Sequence, residues 1–107
     1  MSDKIYFFFP YKYVSGVPIL FSRIIKYFCL TKKVVIIDYE DGALNHLTSE
    51  YDIERMVFRD GVKINVPCGT LIMQAYSPEY IRPELLISAK VKMLFWLNII
   101  ISVKIIL

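Results

Sequence analysis

The chain has 107 residues, enough for one domain and not two. Its 56% hydrophobic content and 15% aromatic content exclude a disordered tail and exceed what a lone small soluble domain normally carries. A net charge of +3 is too mild for a nucleic-acid binder, and the two cysteines have no metal-ligand spacing.

The first predicted element is a strand over Ile5 to Phe9, an unbroken apolar run of the kind buried on both faces of a sheet. It stops at Pro10 and is followed by Tyr11-Lys12-Tyr13-Val14 and a small-residue turn. Ser15 stands where a helix cap would, with Gly16, Val17 and Pro18 in the first turn. From Ile19 to Leu30 the pattern is amphipathic. Leu20, Phe21, Ile24, Ile25 and Phe28 form the apolar face, and Ser22, Arg23 and Lys26 the polar one. Thr31-Lys32-Lys33 links to a second buried strand, Val34 to Ile37, which ends at Asp38. A β-α-β unit of this length predicts parallel strands. The fold class expected is therefore α/β, a Rossmann-like open and mostly parallel sheet with flanking helices in three layers, the first strand interior.

Asp41 is placed to cap a short helix through Ala43, Leu44 and Leu47. A strand is predicted over Ile53 to Phe58. Asp60-Gly61 then reads as a hairpin turn. Val62, Ile64 and Val66 alternate with Lys63 and Asn65, giving a strand with one wet face. Thr70 to Ala75 is another apolar strand. Ser77-Pro78-Glu79 predicts a helix start, the helix running to about Ala89, and Val91 to Trp96 the last strand. Residues 97 to 107 read as an apolar tail, a truncation or a shifted frame. The apolar run there is shorter than the ~20 residues a spanning helix requires.

The loop between the first strand and the first helix is the best candidate site. Backbone N–H groups of Gly16 and Val17 at a helix N-terminus favour anions. Gly16 admits close approach of a ligand to the backbone; equally, it could serve only tight helix–sheet packing. Lys12 could pair with phosphate, and Tyr11 and Tyr13 could stack on a sugar or ring. The loop has neither the G-x-G-x-x-G dinucleotide fingerprint nor a P-loop. Asp38 stands where a ribose-binding acid would, though such a residue more often opens the next turn. His46, the single histidine, reads as a surface residue with no catalytic set around it. Trp96 reads first as a core or interface residue and second as a cleft wall. Cys29 and Cys68 are expected to be buried free thiols, which suits a reducing compartment. Arg23 with Lys26, Lys32 with Lys33, and Lys90 with Lys92 read as solvated edges or as contacts to anionic lipid or a phosphorylated ligand.

The stretches IYFFFPYKYVSGVPILFSRIIKYF, VVIIDYEDG, TLIMQAY and KMLFW, over residues 4 to 96, together resemble the N-terminal half of bacterial glycosyltransferases built from two Rossmann-like domains, the GT-B architecture. The resemblance implies an incomplete Rossmann-like domain over residues 1 to 96 on the acceptor side of an interdomain cleft. Lys12, Tyr13, Ser15, Gly16 and Val17 would face a substrate. The implied partners are a nucleotide-sugar, a glycan or lipid-linked acceptor, a second Rossmann-like domain and a membrane surface, with no nucleic acid, cofactor or metal. The implied location is cytoplasmic and peripheral at the inner membrane face, in polysaccharide biosynthesis. The alternatives are a stand-alone nucleotide- or partner-binding module and a small membrane-associated protein.

Overall fold

A computed structural model describes residues 4–59, 61–75 and 85–97. Two parallel β-α-β steps open it: β1 (Lys4–Phe8), α1 (Gly16–Phe28), β2 (Lys33–Asp38), α2 (Ala43–Leu47) and β3 (Glu54–Val57). Then follow β4 (Ile64–Val66), β5 (Gly69–Ala75), β6 (Leu85–Ile87) and β7 (Val91–Leu97). The main sheet has five strands in the order β3-β2-β1-β5-β7, every pairing parallel. The expected open parallel sheet is therefore present, with β1 interior. The chain steps outward from β1 to β3, then resumes at β5 on the other side of β1. The strand order thus reverses between β1 and β5, which defines the switch point of a doubly wound sheet.

Alternation along the central strands builds two cores. Ile5, Phe7, Val34 and Ile36 point to one face, where they meet Phe21 and Ile25 of α1 and Leu44 of α2. Tyr6, Phe8, Val35 and Ile37 point to the other, with Leu71 and Met73 of β5. Both faces are dry, which is why β1 and β2 read as unbroken apolar runs. Phe7 meets Phe21 edge-to-face at 5.9 Å between centroids, and Phe8 meets Phe58 at 5.3 Å.

The second face departs from expectation. Among the described residues its cover is a two-stranded parallel ribbon, β4 with β6, supplying Ile64, Val66 and Leu85, together with Phe58. The Gly61 turn does not make a hairpin. Gly61 has φ +83 and the Val62 N–H donates to the Arg59 carbonyl, so the chain does turn. However, β4 leaves β3 and crosses onto the sheet face, because burying Ile64 and Val66 there removes more apolar surface from water than an edge hairpin would. The helix expected up to Ala89 is also corrected. Residues 76–84 lie outside the described residues, and 85–87 form β6, with only Leu85 buried. Leu97, assigned to the tail, belongs to β7; residues 98–107 lie outside the described residues.

The predicted apolar face of helix α1 points inward at Phe21, Ile24, Ile25 and Phe28, and departs from expectation at Leu20 and Ser22. Its buried stripe is Pro18, Phe21, Ser22 and Ile25, at the i, i+3, i+4, i+7 spacing of one face. Ser22 is inside because its hydroxyl donates to the Ile19 carbonyl at 2.7 Å, which satisfies it without water. Leu20, counted with the apolar face, is exposed. Ser15 occupies the N-cap position but makes no side-chain capping bond. The usual targets are the second and third helical N–H groups, and the third residue is Pro18, which has none.

Candidate functional site

In a parallel sheet the loops after neighbouring strands meet at one edge, so the β1–α1 loop and the β2–α2 loop converge. Asp38, the last residue of β2, fastens them together. It is fully buried. Its Oδ1 accepts from the Tyr39 N–H at 2.7 Å and the Tyr11 N–H at 3.2 Å, and its Oδ2 accepts from the Asn45 N–H at 3.2 Å. Asn45 is the third residue of α2, so Asp38 performs from a distance the capping role expected of Asp41. Gly42, the actual N-cap residue, makes room for this: a Cβ there would overlap the Asp38 carboxylate. The Ala43 N–H donates to the Tyr11 carbonyl at 2.7 Å, closing the two loops on each other. The turn-opening role of Asp38 is thus the one observed, and its burial shuts it away from a ribose.

Arg55 of β3 continues the network. Its guanidinium donates to Asn45 Oδ1 and Thr48 Oγ1, both at 2.9 Å, and to the carbonyls of Thr48 at 2.7 Å and Tyr51 at 3.1 Å. A cation is thereby set just past the C-terminal end of α2, on the carbonyls of its cap residue and of the turn that follows. Burial holds the guanidinium below its ordinary pKa, opposed by the negative charges of Asp38 and Asp52. Asn45 Nδ2 in turn donates to the Tyr39 carbonyl at 2.8 Å. Arg55→Lys keeps the charge and loses the fork that reaches four acceptors. It should lower stability by about 2–3 kcal/mol in urea titration, while leaving the parallel-sheet circular dichroism signature intact.

A cleft of about 350 Å³ opens beside this network, lined by Lys12, Val14, Glu40, Asp41, Gly42, Ala43, Asn45 and His46. The predicted site residues divide around it. Lys12 faces the cleft, with its Nζ 5.6 Å from the centre of the Tyr39 ring. Tyr13, Ser15 and Gly16 are exposed and Val17 half-buried, but none of the four lines the cleft. Val17 packs against the helix-side core. Rings step outward from that core: Phe21 to Phe9 at 5.7 Å, Phe9 to Tyr11 at 5.4 Å, Tyr11 to Tyr13 at 5.7 Å. Tyr13 ends this series 71% exposed, a ring face open to solvent.

The packing role considered for Gly16 finds no support among the described residues, where a Cβ at this position meets nothing within 4 Å. Gly16→Ala should therefore leave stability equal or raise it by up to about 1 kcal/mol, read as the thermal midpoint. His46 is exposed, as expected of a surface residue, yet it borders the cleft. Glu40, Asp41, Asn45 and His46 were not foreseen as neighbours of Lys12. The usable signal was the parallel pairing of β1 with β2, which brings their following loops together across nearly thirty residues of sequence. Cys29 is half-buried, its Sγ 3.4 Å from the Lys26 carbonyl oxygen. Cys68 lies just before β5, and there, in the turn after β4, it is exposed and not buried as expected.

These features define a parallel α/β sheet domain with a Rossmann-like strand order and a polar cleft at its carboxyl edge. Comparison with known protein families, with curated proteins and with solved structures finds no match to this chain. Among the described residues, no group of three or more His, Cys, Asp or Glu could hold a metal ion. No helix there is long and apolar enough to cross a membrane.

Proposed function

We propose that this chain is the acceptor-side half of a two-domain glycosyltransferase. Such an enzyme moves a sugar from a nucleotide-sugar to a glycan or lipid-linked acceptor, and this half is inactive alone. The observation that carries the reading is the β1–α1 loop. It leaves an interior parallel strand next to the switch point and carries Lys12, which faces the cleft, with the exposed Tyr13 and Ser15 and the helix start at Gly16 and Val17 following it. In this reading the helix N–H groups and Lys12 meet phosphate oxygens and the open ring of Tyr13 stacks on the sugar. A second Rossmann-like domain covers the other side. A cytoplasmic place at the inner face of a membrane accompanies the reading, since a lipid-linked acceptor resides there.

Glycosyl transfer needs both substrates held in register and the leaving diphosphate stabilised. One wall of a cleft does neither, and its contacts to an anion are screened by water. Glu40 and Asp41 beside Lys12 weaken anion binding further. The 107-residue chain should transfer no sugar in a panel of nucleotide-sugars and should bind them at about millimolar or weaker in calorimetric titration. Gly16→Trp, which fills the open space over the helix start, should abolish even that binding. Turnover by the chain alone, or micromolar binding that survives Gly16→Trp, would overturn both the reading and the site.

A second reading, a self-sufficient nucleotide-binding module, is favoured by one observation: the cleft beside Lys12 gathers a cation, the Asn45 amide and the exposed His46 at the carboxyl edge. Micromolar nucleotide binding lost on Lys12→Ala, without any transfer, would select it.

A further inference from the structure

The outward side of α1 carries a stripe unaccounted for by the core. Leu20, Arg23 and Tyr27 follow one another at i, i+3, i+7 on the side opposite Phe21 and Ile25, and Leu30 continues the line in the turn after the helix. Tyr27 is 72% exposed and Leu30 75%. Large apolar side chains so open, in a line, are uncommon on a surface that faces only water.

The segment that carries the stripe is one-sided in charge, although later residues bring carboxylates to part of it. Residues 4 to 37 contain six basic side chains (Lys4, Lys12, Arg23, Lys26, Lys32 and Lys33) and no acidic one. Lys4 is held by Glu54 at 3.2 Å, and Lys26 by Glu50 at 3.8 Å. Arg23, Lys32 and Lys33 have no ion-pair partner among the described residues. Asp52 and Glu54 face Lys32 and Lys33 across a shallow hollow at the opposite edge of the sheet from the cleft. Arg23 on the helix and Lys32, two residues after Leu30, are thus the cations nearest the stripe without an ion pair, Lys32 sharing its hollow with Asp52 and Glu54.

We infer that the outer face of α1, through Arg23, Tyr27, Leu30 and Lys32, is a docking surface for an anionic lipid bilayer. The combination selects the occupant. Cations alone would suit any polyanion, and an apolar line alone would suit a protein groove. Leucine and tyrosine flanked by long basic side chains match the layered chemistry of a membrane interface. The apolar groups reach the acyl boundary, the tyrosine hydroxyl stays at headgroup level, and the cations meet lipid phosphates. The surface is distinct from the carboxyl-edge cleft. It rests on the membrane-surface part of the proposed function and not on sugar transfer.

The test is co-sedimentation of the full 107-residue chain with vesicles of phosphatidylcholine, with and without phosphatidylglycerol. The expected result is binding at least tenfold stronger to the anionic vesicles, weakened by salt. The double variants R23E/K32E and Y27S/L30S should each lower that binding about tenfold or more. Circular dichroism and the urea midpoint should stay as in the parent, because all four side chains are exposed. No vesicle binding, equal binding to neutral vesicles, or unchanged binding by both variants would overturn the inference; the last result would assign adhesion to another part of the chain. Self-association abolished by Y27S/L30S, without vesicle binding, would instead make the stripe a protein interface and also overturn it. Vesicle binding lost in the variants, in a chain that binds no nucleotide-sugar, would support this surface while removing the sugar-transfer reading.

Discussion

Asp38→Ala should lower the stability of this domain by about 3–5 kcal/mol, a large share of the ~5–15 kcal/mol a domain of this kind possesses. The reason is the number of donors that lose their acceptor. The N–H groups of Tyr11, Tyr39 and Asn45 all point at one buried carboxylate. Each stranded buried donor costs about 1–3 kcal/mol, and the three losses overlap because they share one acceptor. The β1–α1 loop should loosen together with α2, so amide exchange at Tyr11 and Asn45 should accelerate before global unfolding. Urea titration followed by circular dichroism reads the first effect and hydrogen exchange the second. A loss under 1 kcal/mol would mean that water replaces the carboxylate.

The same group imposes a pH dependence whose sign can be worked out. Burial is the largest influence on Asp38 and lifts its carboxyl above the ordinary 3.8; the backbone N–H donors, Asn45 first, pull it back down. With the folded value raised, the folded chain keeps a proton that the unfolded chain has already released. The stability this group contributes is therefore full below about pH 4 and is lost as pH rises through the folded value. Asp38→Asn does not titrate. The parent's stability relative to that variant should be greatest at low pH and decline as pH rises through this window. A difference that grows with pH would show that the donors outweigh burial.

Gly69→Ala is the second large effect, expected at about 3–5 kcal/mol. Gly69 opens β5 with φ +100, a conformation that L side chains rarely adopt. A Cβ at this position would also run into the carbonyl oxygen of Lys4, the first residue of β1. That atom belongs to a paired strand and cannot swing aside, so β1 and β5 would have to part where their pairing begins. Gly61 provides the control. Its φ is +83, but a Cβ there meets nothing within 4 Å. Gly61→Ala should cost only the backbone strain, about 1 kcal/mol. The difference between the two midpoints in urea isolates the collision with Lys4. Equal losses would mean that the strands absorb the extra atom.

Membership of the sheet was legible in the sequence where a strand is buried on both faces. Ile5 to Phe8 and Val34 to Ile37 could bury every side chain only inside a sheet covered on both sides, and a helix between them requires parallel pairing. Periodicity also located α1 and most of its inward face, Phe21, Ile24, Ile25 and Phe28, but not the places of Leu20 and Ser22. Ser22 can be buried because its hydroxyl bonds to the helix backbone and leaves no donor unpaired, and hydropathy does not record that bond. The Asp-Gly signal found a turn and misjudged its consequence. Turn chemistry is local, whereas the partner of β4 was decided by the apolar face of a sheet completed only by later strands.

The candidate site divides in the same way. The sequence by itself determined that β1 ends in a polar, glycine-containing loop leading into a helix, since Pro10, Ser15 and Gly16 act on their own neighbours. Only the tertiary structure decided what Lys12 faces. Parallel pairing set the β2–α2 loop beside it, and Asp38 tied the two loops through three N–H groups drawn from distant positions. Capping passed from Asp41, the local candidate, to Asp38, because Gly42 has no side chain to keep that carboxylate away from the helix start. Such an exchange depends on approach through space, and spacing along the chain carries no measure of it.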